Sequence, residues 1–194
     1  MNKFVITVII AEQKVGKVQS ATIENWNGSL QPLSNKLEFI HQIALEEAKK
    51  SLCVRRKYGS VLFSMKHDSY FTAHNARITS CCDGVCIRER LGINHGFNTD
   101  LGAEIHSEQS LLINVHPQQM DLLLIAGYGN KGQELFDRDC WPCYNCARVI
   151  KASGLWSVFV PTKSGEYTNY SLNEIFEHYE NEFLGSKDLT NGND

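Results

Sequence analysis

Residues 104–114 read EIHSEQSLLIN and residues 142–152 read PCYNCARVIKA. In the first stretch Glu108 follows His106 by two positions. In the second, Pro142 precedes Cys143 and Cys146, which stand at C-x-x-C spacing. One imidazole and two thiolates suit a tetrahedral Zn²⁺, and three protein ligands leave the fourth position open, as a catalytic zinc requires. Glu108 is not needed to hold the ion and is placed to carry protons beside the open position. Each stretch reads as a helix: 104–114 with His106 near its first turn, and 143–153 with Gly154 ending it. Cys143 and Cys146 are one turn apart, so their sulfurs point to one side. The positive end of the helix dipole favours the thiolate form. A strand predicted between the two helices (121–127, DLLLIAG) must bring them alongside each other.

Working outward, the remaining elements take the same form. Asn35 with Glu38 resembles a capping box. Leu37, Ile40, Ala44 and Ala48 recur at helical spacing, which predicts a helix over 36–51. Strands are expected at 59–65 and 69–75, and again at 155–160, closed by Pro161. A short helical piece is expected near 86–91. Leu172, Ile175, Phe176 and Tyr179 predict a last helix over 171–184. The order helix–strand–strand–helix–strand–helix–strand–helix implies an α/β sandwich, with helices covering a central sheet. Residues 1–34 form an N-terminal extension of strand and loops, with strands at 3–11 and near 18–24. Residues 35–184 are the domain, and 185–194 (GSKDLTNGND) read as a disordered tail.

Composition sets bounds on function. The formal charge of −3 comes without any long run of like charge, which argues against a polynucleotide-wrapping surface. Only Arg55-Arg56-Lys57 forms a local basic patch. The seven cysteines fall in clusters, and an odd number at short spacings fits metal ligands in a reducing compartment better than a disulfide framework. The apolar run FVITVIIA at 4–11 is too short for an export signal and is followed at once by charge. No stretch approaches the ~20 apolar residues of a membrane span. The expected location is the cytoplasm, with no membrane partner and nucleic acid disfavoured.

Taken together, H-x-E followed by P-C-x-x-C is the zinc deaminase signature, and the chain resembles the cytidine/deoxycytidylate (dCMP) deaminase family. Further stretches carry the likeness. Residues 53–61 (CVRRKYGSV) are similar to the family's C-x-R-x-x-V-G-A-V opening. Residues 72–76 (TAHNA) stand where it has T-G-Y-N-G. Residues 86–93 (CIRERLGI) resemble its C-x-R-E-x-L-x-I segment. His106-Ser107-Glu108 departs from the commoner H-A-E by one nearly isosteric residue. The likeness spans about residues 36–165. It implies a cytidine-deaminase-like three-layer α/β/α sandwich with about five strands. The implied activity is hydrolytic conversion of dCMP to dUMP and ammonia, with Zn²⁺ on His106, Cys143 and Cys146 and Glu108 moving the protons. It also implies a homo-oligomer and control by a nucleotide triphosphate effector.

Substrate contacts follow the same resemblance. Asn75 is the candidate sugar contact, since an amide both donates and accepts; the alternative is a turn asparagine. Arg56 is the candidate phosphate contact, or a solvated surface arginine. The backbone around Ser107 and Trp141 is implied to bind the exocyclic amine. Cys53, Cys81, Cys82, Cys86 and His95 offer ligands for a second zinc, which some family members are implied to hold; the alternative is buried free thiols. Gly102 stands where a related pattern has cysteine.

Two decoys and two other functions remain. Residues 127–132 (GYGNKG) match G-x-G-x-x-G, but the helix that dinucleotide binding needs has no room to open there, so a glycine-rich turn is expected. Cys140 offers an overlapping C-x-x-C with Cys143; the match of Pro142 to the family pattern selects the 143/146 pair and leaves Cys140 a buried thiol. His74 and His116 read as ordinary polar residues. Trp141 and Tyr144, beside the motif, are expected to pack or else to stack on a base. The other functions are deamination of another cytosine nucleotide, nucleoside or nucleic-acid base, and a non-catalytic zinc module for interaction.

Overall fold

The computed structural model describes residues 7–10, 19–22, 33–77, 90–93, 104–118 and 121–187. The chain divides into two units, 1–32 and 33–194. In the first, β1 (Thr7–Ile10) pairs antiparallel with β2 (Gln19–Thr22). Both strands fall inside their expected ranges.

The second unit is a three-layer α/β/α sandwich. It runs α1 (Leu33–Lys49), β3 (Arg56–Ser64), β4 (Ser69–His74), β5 (Ala76–Arg77), β6 (Glu104–Ile105), α2 (Ser107–Leu112), β7 (Asp121–Gly129), α3 (Tyr144–Ala152), β8 (Ser157–Pro161), β9 (Tyr167–Ser171) and α4 (Leu172–Lys187). The central sheet has the order β4-β3-β7-β8-β9. Only β7 and β8 run parallel, so the crossover between them must travel over one face, and that crossover contains α3. The β5–β6 pair forms a separate two-stranded ribbon that delivers the chain to His106.

Period-two alternation along the sheet sorts the core into two halves. Val61 and Phe63 of β3, Leu124 and Ala126 of β7 and Phe159 of β8 face α1, meeting Leu37, Ile40, Ala44 and Leu45. Leu62, Leu123, Ile125, Val158 and Val160 face the other way, meeting Leu111 and Leu112 of α2, Ala147 and Ile150 of α3, and Leu172 and Ile175 of α4. Each fully buried aliphatic side chain is worth about 1.5–3 kcal/mol. β7 is apolar on both faces because both are covered. On α1's side the approach is closest at Gly59, where an added Cβ would lie 2.0 Å from the Ala44 carbonyl oxygen.

Several expected boundaries move. Helix α1 begins at Leu33, so Asn35 lies inside its first turn and does not cap it. Leu33 packs on the core cluster one turn before Leu37, and this burial extends the helix upstream. The helix ends at Lys49, and Ser51 is instead tied by its hydroxyl to the Asn75 carbonyl at 2.8 Å. Residues 104–105 are strand, not helix. The glycine-rich turn starts late, since Gly127 and Gly129 still belong to β7; the turn proper is 130–132, with Gly132 at φ +77. β9 was not anticipated, because YTNYS has little apolar content and is an edge strand held by its pairing with β8. Ser171 and Glu174 form the capping box that starts α4: the Ser171 amide donates to Glu174 Oε2 at 2.8 Å, and the Glu174 amide donates to Ser171 Oγ at 3.2 Å. That helix runs to Lys187, so 185–187 are not a disordered tail. The short helix near 86–91 lies outside the described residues except at its end. Among the described residues, no helix is long and apolar enough to cross a membrane.

Candidate metal centre

Two helix starts meet on the α2–α4 side of the sheet. His106 sits at the N-cap of α2 in an extended conformation, and its carbonyl accepts the Ser110 amide at 2.9 Å. Cys143 sits at the N-cap of α3, also extended, and its carbonyl accepts the Ala147 amide at 2.9 Å. Cys146 lies in the first turn of α3 and is wholly buried. His106 Nδ1 is 3.4 Å from Cys143 Sγ and 3.4 Å from Cys146 Sγ. All three donor atoms lie within 4.8 Å of one another. Bonds of about 2.3 Å to sulfur and about 2.05 Å to nitrogen at tetrahedral angles set N and S about 3.5 Å apart. The observed 3.4 Å separations fit that edge, so the donor set fits a tetrahedral zinc. Cys140 is absent from the group: it is buried in a turn of 3-10 helix (Asp137–Cys140), where its thiol donates to the Leu135 carbonyl at 3.1 Å. Burial pushes that thiol's pKa up.

The electrostatics suit a cation. The Cys143 thiol is pushed down to about 3, first by the hydrogen bond from the Cys146 thiol and then by His106, against the cost of burial. The same hydrogen bond and burial push Cys146 up. A metal ion binds cysteine as the thiolate, so zinc binding at this pair depends on pH. Burial raises the Glu108 carboxyl above the ordinary carboxylate range; His106 opposes the shift and Cys143 adds to it. Glu108 adds to the upward shift of Cys146 and accepts a hydrogen bond from Ser107 Oγ at 3.1 Å. Ser107 in turn accepts one from Ser60 Oγ at 2.7 Å.

The four candidate substrate residues fall into different places. Ser107 is wholly buried beneath Glu108. Asn75 is also buried: its Oδ1 accepts the Tyr58 amide at 2.7 Å and its Nδ2 donates to the Arg56 carbonyl at 3.1 Å, so the amide holds the start of β3. Arg56 Nη1 donates to Asp139 Oδ1 at 2.9 Å and to the Tyr58 hydroxyl at 3.2 Å. The Tyr58 hydroxyl donates to the Asp139 carbonyl at 2.8 Å. Trp141 is packed edge-on against Tyr170 and His178 with its indole buried, while Tyr144 packs on Phe176 and Tyr179. His74 is bonded to Glu47 through Nδ1 at 2.8 Å. Of the second-metal candidates, Cys53 is buried and pushed up to about 11 by burial, with Glu104 adding to the shift. Cys81, Cys82, Cys86 and His95 lie outside the described residues.

Ser60, Tyr58, Asp139 and Tyr179 were not anticipated at the site. Tyr179 of α4 donates to the Pro142 carbonyl at 3.2 Å, bracing the turn that presents Cys143. Tyr58 and Ser60 share the alternation of Leu62 along β3, and Tyr179 the helical spacing of the last helix, but neither signal names a partner. The fold and site together define an α/β/α domain with a candidate His-Cys-Cys metal centre. No family model matches the chain, and no curated protein matches it.

Proposed function

We propose that this chain is a zinc-dependent hydrolytic deaminase of a small cytosine nucleotide, converting dCMP to dUMP and ammonia. The observation that carries the reading is the convergence of His106, Cys143 and Cys146 with the buried Glu108 carboxyl beside them. Three protein donors leave a tetrahedral ion one open position. A zinc ion there supplies Lewis acidity, which brings the pKa of water from ~15.7 toward ~7.

Glu108 does the proton work. Burial raises its carboxyl above the ordinary carboxylate range, which makes it a stronger proton acceptor than an exposed carboxylate. It takes a proton from water and delivers it to N3 of the pyrimidine as oxygen adds at C4. It then takes the proton of the new C4 hydroxyl and passes it to the amine as the C4–N bond breaks, leaving the C4 carbonyl and ammonia. The hydrogen bond from Ser107 orients the Glu108 carboxyl for this work. The resemblance of the flanking stretches to deoxycytidylate deaminases supports the choice of dCMP, with Arg56 on the phosphate and Asn75 near the sugar.

Ammonia release from dCMP, CMP, dCTP, deoxycytidine and tRNA, measured on zinc-loaded protein, tests the reading. We expect dCMP to be preferred and Glu108→Gln to lower kcat by about 10²–10⁴-fold while zinc stays bound. Zinc retention with no ammonia from any member of the panel would point to a non-catalytic zinc module instead.

A further inference from the structure

We propose that Ser60 and Ser107 form a two-hydroxyl relay that fixes the Glu108 carboxylate, making Ser60 a positioning residue for the reaction proposed above, on which this inference rests. Ser60 lies on β3, on the same sheet face as Leu62, and both serines are wholly buried. Ser60 Oγ donates to Ser107 Oγ at 2.7 Å, and Ser107 Oγ donates to Glu108 Oε2 at 3.1 Å. A hydroxyl carries one proton. Once Ser60 donates to the Ser107 oxygen, the Ser107 proton is directed away from Ser60 and toward Glu108. A buried hydroxyl is costly unless bonded, and here both hydroxyls are bonded, Ser60 to Ser107 and Ser107 to Glu108. The central sheet thereby sets the orientation of a side chain on a different element. Both serines stand where the quoted family motifs, G-A-V and H-A-E, carry alanine, so the relay is a feature of this chain.

A relay acts in series, and this separates it from two independent contacts. Full-length, zinc-loaded Ser60→Ala, Ser107→Ala and the double variant are compared. We expect kcat to fall about five- to ten-fold in each single variant, with KM nearly unchanged and zinc affinity against a chelator unaltered. The double variant then matches Ser107→Ala, because Ser60 has no route to Glu108 once the intervening hydroxyl is gone. Urea unfolding of the same four proteins gives a second readout that needs no turnover. Both single variants lose the same Ser60–Ser107 bond, and Ser107→Ala also strands the buried Ser60 hydroxyl, so the double variant loses less stability than the two losses combined. Wild-type kcat in Ser60→Ala, effects on kcat that multiply, or unfolding midpoints that shift additively each overturn the relay. A wild-type protein that deaminates nothing overturns the functional reading instead, and the unfolding cycle then decides the relay alone.

Discussion

His106 Nδ1 lies 3.4 Å from Cys146 Sγ across 40 residues of chain. Neither residue is placed by its own helix alone. The β5–β6 ribbon delivers His106, and the parallel crossover from β7 to β8 carries Cys146 over the same face. The two helix starts meet because Leu111, Leu112, Ala147 and Ile150 share one core.

Metal binding should follow the 143/146 pair. Cys143→Ser and Cys146→Ser are expected to lose the bound zinc, while Cys140→Ala keeps it, because Cys140 is committed to the Leu135 carbonyl. Zinc per chain, measured by mass spectrometry, checks this; equal loss in all three variants would refute the ligand set. The wild-type total also bears on the second site. Two ions per chain, falling to one in Cys53→Ser, support it, and a single ion removes it.

Acid should weaken the fold through His41. This side chain is buried between Tyr167, whose hydroxyl is 3.1 Å from Nδ1, and Glu134, whose carboxylate is 3.0 Å from Nε2. Burial lowers its pKa from 6.5, with Glu134 and Glu38 opposing. The unfolded chain therefore binds more protons than the folded one below 6.5. The stability involved is present above that value and is lost as pH falls through the lowered pKa. Urea midpoints taken from about pH 7.5 to about pH 5.5 should fall in the wild type and fall less in His41→Gln. Parallel declines in the two proteins would remove His41 as the cause.

The α1 layer rests on the β3 backbone at Gly59. A Cβ there meets the Ala44 carbonyl oxygen at 2.0 Å and the Ala48 amide nitrogen at 2.9 Å, both backbone atoms that cannot turn aside. Gly59→Ala is expected to cost about 2–3 kcal/mol by overpacking, read as a lower urea midpoint. An unchanged midpoint would mean that α1 is free to lift without cost.

Asn75 is expected to matter for stability before it matters for substrate. Its amide serves the Tyr58 amide and the Arg56 carbonyl, and Asn75→Ala leaves both without this partner. A loss of about 1–3 kcal/mol in chemical denaturation is the expected result. A variant with wild-type stability and a raised KM for dCMP would assign the side chain to the ligand instead.

Much of the architecture was legible in the chain because local periodicity reports burial directly. Leu37, Ile40 and Ala44 recur at helical spacing, and they are the residues α1 buries. Residues 121–127 are continuously apolar, and β7 is covered on both faces. Errors fell where burial is partial or pairing does the work. YTNYS is a strand only because β8 lies beside it. Leu33 is helical because the core lies under it.

At the site, residue type and spacing narrowed the donors to His106 and two overlapping C-x-x-C pairs, since only a few side chains bind zinc, and the match of Pro142 to the family pattern chose between the pairs. The order of helices and strands also determined the sandwich. Only the tertiary structure decided which atoms meet: Nδ1 of His106 toward the sulfurs, Cys140 turned away onto a carbonyl, and Ser60 reaching Glu108 through Ser107. The physical reason is range. Helical and strand periodicities arise from bonds a few residues long, whereas these contacts join atoms brought together by packing two layers on one sheet.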